Sequence, residues 1–271
     1  MRNESVAVIT GGCGGIGLAS TRRLGQHHKL VLTDIEADRL DAVAQDLRAV
    51  DCEVVVVAGD LMKSEVIEKL VERTKSTGKL GALVHASGLS PSMAGGRRVL
   101  EFNLVATARI ERAFLPLSAA GTAAVFIASS AGHMARFGDR HDEILRDPLA
   151  TDFWEKLSED AATGEDAYII SKRGVIRYVA QVTGEWGARS ARINTISPGT
   201  IATPMGKLEY ANQPLMKAML ELTPIKRWGE PDDVAACVEF LCSADASYIT
   251  GTDIRVDGGI VSALNNSPGG Y

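Results

Sequence analysis

Tyr168 and Lys172 stand four residues apart in a segment with helical periodicity. Residues at this spacing lie on the same face of a helix, so the phenol and the ammonium group project together. A phenol ordinarily has a pKa of about 10, too high for a base at neutral pH, and a nearby cation lowers it. The pair is therefore a workable proton-transfer unit, although the same spacing also arises by chance on surface helices.

A pair of hydroxyl side chains follows the apolar run at 123–128. Ser129 and Ser130 come directly after this run, which has the composition of a buried strand. In open α/β sheets, ligands bind beyond the carboxyl ends of the strands, so a hydroxyl at this point can bond a substrate oxygen. A serine that serves only a loop or a helix cap is the alternative interpretation.

A glycine cluster separates an apolar run at 6–10 from a helical pattern that starts at residue 16. The cluster includes Gly11, Gly15 and Gly17. Glycine permits positive φ and lets a ligand approach the backbone closely. The first N–H groups of the following helix lack partners and carry the positive end of its dipole, which suits a pyrophosphate. This order predicts a dinucleotide site, with a purely structural turn as the alternative.

Acidic residues end or follow the next two strand candidates. Asp34 closes the run at 30–34, where an acidic residue bonds the adenosine ribose and repels the extra phosphate of NADP. No Arg or Lys stands within the glycine loop or directly after Asp34, so the predicted cofactor is NAD. Asp34 as a cap of the next helix is the alternative. Asp60, after the run at 54–58, could bond the adenine amino group or serve as a turn residue.

The elements that must position these residues alternate regularly along the chain. Continuous apolar runs predict strands covered on both faces, and amphipathic stretches between them predict helices. Repeated units of this kind indicate one α/β domain over residues 1–271, a Rossmann-type doubly wound parallel sheet of about seven strands with helices on both faces. Strands are predicted at 6–10, 30–34, 54–58, 82–85, 123–128, 192–196 and 253–256, and helices at 16–27, 37–49, 63–77, 97–117, 167–187 and 232–243.

The overall composition narrows the partners. A net charge of -5 without a block of Lys and Arg argues against nucleic acid and anionic membranes. No apolar run approaches the roughly 20 residues that span a bilayer, and no signal-peptide pattern opens the chain. The cysteines form no Cys-x-x-Cys pair and have no histidine at zinc-ligand spacing. This predicts reduced, buried thiols in a cytoplasmic protein and no metal site. They are Cys13, Cys52, Cys237 and Cys242.

These motifs together resemble the short-chain dehydrogenase/reductase family over nearly the whole chain. The segment TGGCGGIG at 10–17 is similar to the cofactor loop of that family, and YIISK at 168–172 is similar to its active-site pair. The segment SSAG at 129–132 is similar to its serine motif, whose spacing to the glycine selects Ser129 over Ser130. Segments at 192–199 and 228–259 are similar to the loop beside the nicotinamide and to the C-terminal signature.

The resemblance implies roles for further residues. Asn103 matches the helical asparagine whose backbone supports a water that relays protons to the lysine. Thr203 matches the residue that bonds the carboxamide, with the backbone of Ile201 beside it. The implied catalytic set is Asn103, Ser129, Tyr168 and Lys172. The implied cofactor contacts are Gly11, Cys13, Gly15, Ile16, Gly17, Asp34, Asp60, Leu61, Ala86, Gly88, Tyr168, Lys172, Pro198, Gly199, Ile201 and Thr203.

One segment departs from the family pattern. Where the family usually has Asn-Asn-Ala-Gly after the fourth strand, this chain has His85-Ala86-Ser87-Gly88. Ala86 therefore cannot make the side-chain bond that the second asparagine uses to tie the strands together. His85 is predicted to be a packed residue at the strand end rather than a catalyst.

An insertion relative to most of the family covers about 133–166, at the edge of the expected substrate site. It has ten Asp and Glu residues against four Arg and Lys residues. An acidic wall repels carboxylates and phosphates and favours a neutral alcohol or ketone, whereas charges that all face solvent would have no such effect.

Local patterns predict two short helices within this insertion. One is expected at 142–146, stopped by Pro148. Asp152 followed by Glu155 resembles a capping box, which would open a second helix. That helix would carry Leu149, Phe153 and Leu157 on one face.

The resemblance narrows to a branch of the family. A long insertion at this place, with AFLP at 113–116, is similar to bacterial 3α-hydroxysteroid dehydrogenase/carbonyl reductases. The expected activity is NAD-dependent interconversion of a secondary alcohol and a ketone by hydride transfer, on a neutral and bulky substrate such as a hydroxysteroid. A non-catalytic NAD-binding regulator on the same fold is the alternative, and the intact catalytic set argues against it.

The resemblance also bears on assembly. In the family at large, helices near 97–117 and 167–187 pair between subunits, which implies a homodimer or homotetramer. An insertion beside these helices would alter or block that contact. The tail at 265–271 is polar, with Pro and Gly, and is predicted to be a loose end or a contact arm.

Overall fold

Seven parallel strands form one sheet in the order β3-β2-β1-β4-β5-β6-β7. The computed structural model describes residues 4–134, 139–157 and 164–266, with only the backbone of 139, 140, 164 and 165. All seven predicted strands are confirmed, and the largest difference is that β4 starts three residues earlier than predicted. The strands are β1 (Ser5–Thr10), β2 (Lys29–Asp34), β3 (Val54–Ala58), β4 (Lys79–His85), β5 (Ala123–Ile127), β6 (Arg192–Pro198) and β7 (Asp253–Val256).

Helices cover both faces of the sheet. The six predicted helices are present, but the one expected at 97–117 is interrupted by a π-helical turn at Glu101–Ala106 and ends in a 3-10 turn at Leu115–Leu117. Short helices after β6 and after β7 were not predicted. The helices are α1 (Gly15–Leu24), α2 (Ala37–Arg48), α3 (Ser64–Thr77), α4 (Gly96–Leu100), α5 (Thr107–Phe114), α6 (Asp139–Leu145), α7 (Phe153–Lys156), α8 (Gly164–Gly187), α9 (Pro204–Asn212), α10 (Pro214–Leu222), α11 (Pro231–Cys242) and α12 (Ile260–Asn265).

The sheet separates two hydrophobic cores. Successive side chains of a strand point to opposite faces, so β1 contributes Val6 and Val8 to one core and Ala7 and Ile9 to the other. The first core packs against α3, α5 and α8, and the second against α1, α2 and α11. Both faces of each central strand are therefore buried, which explains the continuous apolar runs.

The strand order reverses at β1, which pairs in parallel with β2 on one side and with β4 on the other. A crevice opens at such a switch point, outside the carboxyl ends of the strands. Residues that follow β1, β4, β5 and β6 therefore meet at one edge of the sheet.

The insertion contains α6 and α7. The helix predicted at 142–146 is confirmed as α6, which begins and ends earlier than expected. The predicted capping box is wrong, because the Asp152 carboxylate makes no cap bond to α7 and instead lies 2.7 Å from the Lys156 ammonium group. Leu149 is exposed, so it does not share the buried face of Phe153 and Leu157.

Parts of two predictions lie outside the described residues. These parts are 135–138 and 158–163 of the insertion and 267–271 of the tail. Within the described ranges, every helix is too short or too polar to cross a membrane.

The cysteine prediction is met in part. All four thiols are free, with Cys13 and Cys52 buried and the other two partly exposed.

Candidate active site

The glycine loop packs too tightly for a side chain at Gly11, Gly15 and Gly17. Gly11 has a φ of +67°, and a β-carbon on Gly17 would lie 2.0 Å from the Gly11 carbonyl oxygen. Helix α1 begins at Gly15 without a side-chain cap, so its first N–H groups are left for a ligand. Gly11, Gly15, Ile16 and Gly17 line the large cavity at the carboxyl edge of the sheet. This geometry fits the pyrophosphate of a dinucleotide.

Asp34 holds the loop from the end of β2. Its carboxylate oxygens accept bonds from the Cys13 N–H, at 3.2 Å, and from the Ile35 N–H, at 2.8 Å. The alternative role as a helix cap is not observed, because the N-cap position of α2 is Glu36. Asp34 lines the cavity and retains further lone pairs for ribose hydroxyls.

Cys13 differs from the other predicted cofactor contacts. Its side chain is buried and is not part of the cavity lining. Burial and the neighbouring Asp34 carboxylate raise the pKa of the thiol to about 12. The thiol is therefore inert, and the part of Cys13 available to this region is its backbone.

Arg39, on α2, also lines the cavity near Asp34. Arg39 stands five residues after Asp34, beyond the positions directly after β2 where a cation would bind the phosphate of NADP. One turn of helix brings the exposed Arg39 side chain to the same end of the cavity. A cation is thus present close to the adenosine site, next to the carboxylate that would repel a phosphate.

Asp60 serves a turn and also borders the cavity. One carboxylate oxygen accepts the Met62 N–H at 2.9 Å, which is the turn role, and the other accepts from Arg98 at 3.0 Å. Asp60 and Leu61 both line the cavity. The predicted bond to adenine stays a prediction.

His85 ties three elements together at the end of β4. Its Nδ1 lies 2.7 Å from the Thr10 hydroxyl of β1, and its Nε2 lies 2.9 Å from the Thr107 hydroxyl of α5. Burial, with the charge of Lys172, lowers the pKa of His85 to about 3, so the ring is neutral. The prediction of a packed histidine is confirmed, and its bonds join β4 to its neighbours even though Ala86 has no polar side chain.

Asn103 lies in the π-helical turn, and its side chain is buried. Its amide oxygen accepts the Leu89 N–H at 2.8 Å, and its amide nitrogen donates to the Leu89 carbonyl and the Ser171 hydroxyl. Asn103 therefore fixes the loop after β4 against α8. It does not line the cavity, so its contribution comes through the groups that it positions. π-Helical turns of this kind often occur at functional sites.

Ser129, Tyr168 and Lys172 converge in the cavity, as predicted. The Lys172 ammonium nitrogen donates to the Ile127 carbonyl at 3.0 Å and lies 5.9 Å from the centre of the Tyr168 ring. A β-carbon on Gly132 would lie 2.9 Å from the Lys172 backbone, so this glycine lets the serine loop pack against α8. The Ser-x-x-Gly spacing thus has a steric cause.

Burial is the largest influence on the pKa values of Tyr168 and Lys172. Burial raises the pKa of Tyr168, a hydrogen bond with Ser129 acts to lower it, and the Glu209 carboxylate acts to raise it further. Burial lowers the pKa of Lys172 to about 8. Burial is the largest cause of the raised Tyr168 pKa, and the Lys172 ammonium nitrogen stands 5.9 Å from the centre of the ring. That Lys172 lowers the pKa of the phenol stays a prediction.

The loop after β6 forms the wall opposite the glycine loop. Pro198, Gly199, Ile201 and Thr203 line the cavity, and the Thr203 hydroxyl caps α9 by accepting the Gly206 N–H at 2.9 Å. A β-carbon on Gly15 would lie 2.3 Å from the Thr203 methyl group. The two loops are thus in direct contact across the crevice.

One cavity of about 900 Å³ joins these groups, and Ala86 and Gly88 also line it. All the predicted site residues except Cys13 and Asn103 border it. Of the described residues in the insertion at 133–166, only Met134 lines the cavity. The expected acidic lining is therefore not found among them. The substrate end is instead formed by α9, α10 and the loop after β4, which sequence reasoning missed.

Comparison with known proteins identifies the family. The family model described as short chain dehydrogenase matches residues 5–140, and the one described as Enoyl-(Acyl carrier protein) reductase matches residues 156–261. The chain is 31% identical to the short-chain dehydrogenase/reductase bsc3 of Alternaria brassicicola, over 97% of this chain and 98% of that protein. It is 30% identical to galactitol 2-dehydrogenase (L-tagatose-forming) of Cereibacter sphaeroides, over 93% of each.

A solved structure shows the same architecture. The crystal structure of levodione reductase superposes with a TM-score of 0.78 at 26% identity and covers 97% of this chain and 100% of that one. The similarity in sequence and in fold therefore extends over nearly the whole chain. The chain belongs to the short-chain dehydrogenase/reductase family, whose members are oxidoreductases.

Proposed function

We propose that this protein is an NAD-dependent alcohol dehydrogenase or carbonyl reductase that interconverts a secondary alcohol and a ketone. The observation that carries the proposal is the convergence of Ser129, Tyr168 and Lys172 in the same cavity as the glycine loop. A regulator that only binds the cofactor has no need of a hydroxyl, a phenol and an ammonium group at the other end of that cavity. The arrangement favours catalysis over that alternative.

Each side chain has a role in the proposed oxidation. The alcohol loses its hydroxyl proton to the phenolate form of Tyr168, which becomes a phenol, and loses a hydride from the carbon that carries the hydroxyl, which leaves a ketone. A bound nicotinamide would supply the acceptor for this hydride. Ser129 donates a hydrogen bond to the substrate oxygen, and Lys172 bonds the nicotinamide ribose and keeps positive charge near the phenol. Asn103 fixes the neighbouring loop and so keeps the proton relay in place.

Asp34 supports the choice of NAD over NADP. Its carboxylate borders the adenosine end of the cavity, where a ribose 2′-phosphate would be repelled. Arg39 stands at the same end and gives NADP a competing point of attachment. A comparison of kcat/KM for NAD and NADP shows whether the Asp34 carboxylate or the Arg39 guanidinium determines the cofactor preference. A strong preference for NADP would contradict this part of the proposal.

The proposed substrate is neutral, and the resemblance to hydroxysteroid dehydrogenases supports a bulky one. The substrate end of the cavity is largely apolar, with Met93, Leu208 and Met216 among the residues that line it. A carboxylate, Glu209, stands among them and disfavours anionic substrates. Galactitol 2-dehydrogenase, a relative, acts on a neutral polyol by its name.

The surroundings of the enzyme are also part of the proposal. Free thiols are the form that a reducing compartment maintains, which supports a cytoplasmic location. A homodimer or homotetramer remains the expected assembly, with a small alcohol or ketone as the other partner. Light scattering coupled to size-exclusion chromatography measures the number of subunits.

The experiment that tests the activity is a panel of hydroxysteroids and small aliphatic and aromatic secondary alcohols. Each is supplied with NAD or with NADP, and the absorbance of the reduced nicotinamide is followed. We expect turnover with NAD and at least one secondary alcohol. Binding of NAD without turnover on any alcohol, or on any ketone in the reverse direction, would favour the non-catalytic regulator.

A further inference from the structure

Glu209 places a carboxylate in the substrate end of the cavity. The residue is only 8% exposed and lies on α9, which borders the cavity. One of its oxygens accepts the Ser92 N–H at 3.1 Å. Among the described residues, no cation forms a salt bridge with this carboxylate and no second donor bonds it. A carboxylate has more lone pairs than this single bond uses, so it can accept further hydrogen bonds from a ligand.

Ser90 adds a second polar group without a partner. Its side chain is 1% exposed, and its hydroxyl makes no hydrogen bond within the described chain. Ser90 and Glu209 line the same cavity, and the Ser92 N–H links the loop of one to the helix of the other. Three other buried hydroxyls also lack a partner among the described residues, those of Ser20, Thr21 and Thr33. Of these four residues Ser90 alone lines the cavity, where a ligand group can bond it.

The other residues that line the substrate end around Glu209 and Ser90 are mostly apolar. In the segments 87–94 and 203–219, Glu209 is the only lining residue with a charge, and methionine and leucine predominate around it. A hydrogen bond to a carboxylate in such apolar surroundings is stronger than one in water. The position can therefore discriminate between substrates.

We propose that Glu209 and Ser90 form a polar subsite that binds a second hydroxyl or a protonated amine of the substrate, away from the carbon that is oxidised. This inference rests on the proposed alcohol dehydrogenase activity and deepens it, because it names the chemistry of the preferred substrates. They are diols, polyols or amino alcohols with an apolar body. Substrates that carry a carboxylate at the same place are rejected by charge repulsion.

The relation between Glu209 and Tyr168 supports this position of the subsite. The carboxylate is near enough for its charge to raise the pKa of the phenol. Both residues also line the same cavity, so a substrate that reacts at Tyr168 can extend to Glu209. The other polar groups facing the phenol are the Ser129 hydroxyl and, across the ring, the Lys172 ammonium group.

The test uses the full chain and a matched series of substrates. The series starts from the best simple alcohol of the panel and adds a second hydroxyl, a primary amine or a carboxylate on the side opposite the reacting carbon. Glu209→Gln keeps an oxygen for the Ser92 N–H but removes the charge, and Ser90→Ala removes the unpartnered hydroxyl. Glu221→Gln, on the exposed side of α10, is the matched control.

We expect kcat/KM of the natural protein for the diol and the amino alcohol to exceed that for the simple alcohol by about tenfold to a hundredfold. Glu209→Gln should reduce this ratio at least tenfold and improve the carboxylate-bearing substrate, Ser90→Ala should reduce it less, and Glu221→Gln should leave it unchanged. An equal ratio in the natural protein and Glu209→Gln would overturn the subsite.

A second measurement distinguishes failure of the proposed subsite from failure of the proposed dehydrogenase activity. Thermal unfolding with NAD and each compound present reports binding without turnover. If no alcohol is oxidised, the proposed activity fails. The subsite is then judged by whether the diol and amine raise the unfolding temperature more than the simple alcohol, and whether Glu209→Gln abolishes that difference. Identical shifts would refute the subsite.

Discussion

The two ends of the cavity are built from different parts of the polypeptide. The cofactor end consists largely of backbone: three glycines of the loop that leave no room for a β-carbon, the open start of α1 and the strand ends at the switch point. The substrate end consists of side chains on α9, α10 and the loop after β4. The first end should therefore be intolerant of added atoms, and the second should respond to the chemical identity of a few groups.

The largest expected effect is at Tyr168, where the two ends meet. Tyr168→Phe removes the group that takes the substrate proton and should lower kcat at least a hundredfold, and up to about ten-thousandfold. NAD affinity should change little, because the glycine loop and Asp34 are untouched. Turnover is measured by nicotinamide absorbance and NAD affinity by calorimetry. Near-normal turnover would remove Tyr168 from the mechanism.

The neighbouring serines provide the next test. Ser129→Ala should lower kcat about a hundredfold to a thousandfold, because a donor to the substrate oxygen is lost. It should also move the rise of kcat/KM with pH to higher pH, since the hydrogen bond with Ser129 lowers the pKa of Tyr168.

Ser130→Ala is the matched control for that prediction, and it should change kcat less than tenfold. Ser130 also borders the cavity, but the spacing to Gly132 assigns the catalytic position to Ser129. A larger loss in Ser130→Ala than in Ser129→Ala would exchange the two assignments.

Gly17→Ala tests the cofactor end directly. The added carbon would lie 2.0 Å from the Gly11 carbonyl oxygen, so the loop must shift. Overpacking of this kind costs about 3 kcal/mol, which as lost cofactor binding is more than a hundredfold. Gly184→Ala on α8 is the control, since its β-carbon meets nothing within 4 Å and alanine favours the helix. NAD titration of both variants should separate them, and equal affinities would contradict a backbone-built cradle.

The difference between the cofactor end and the substrate end also explains which parts of the site could be predicted from the sequence. The strands, the glycine loop and the Tyr168–Lys172 pair depend on local pattern and spacing, and the structure brings them together as predicted. Glu209 and Ser90 carry no local signal, because their relation depends on a contact between residues 92 and 209. Helices α9 and α10 do carry a local sequence signal, because each has proline in its first turn, at Pro204 and Pro214.

The interpretation of the insertion was incomplete for a related reason. Counting charges does not show where they point, and Asp142 faces Arg173 and Arg177 of α8 rather than the cavity. Its ion pairs fix α6 to the helix that carries Tyr168 and Lys172. The described part of the insertion therefore supports the site and does not wall it.

Asp142→Asn tests whether the insertion stabilises the fold around α8 without contacting the substrate. Its expected effect on activity is the smallest of these predictions. Burial alone would raise the pKa of Asp142, but hydrogen bonds and charges from Arg173 and Arg177 outweigh it and lower the pKa to about 2. A carboxyl group whose pKa is lowered on folding stabilises the folded state at pH values above its pKa in the unfolded chain, which is about 4 for Asp. That stability, about 2 kcal/mol, is lost as pH falls from about 4 to about 2.

The amide variant lacks this acid-dependent step. The unfolding free energies of the natural protein and of Asp142→Asn, measured by denaturant titration, should therefore differ at neutral pH and converge in acid. KM for the alcohol should stay within about twofold, since no atom of the cavity lining changes. A large rise in KM without loss of stability would show instead that the insertion belongs to the substrate end.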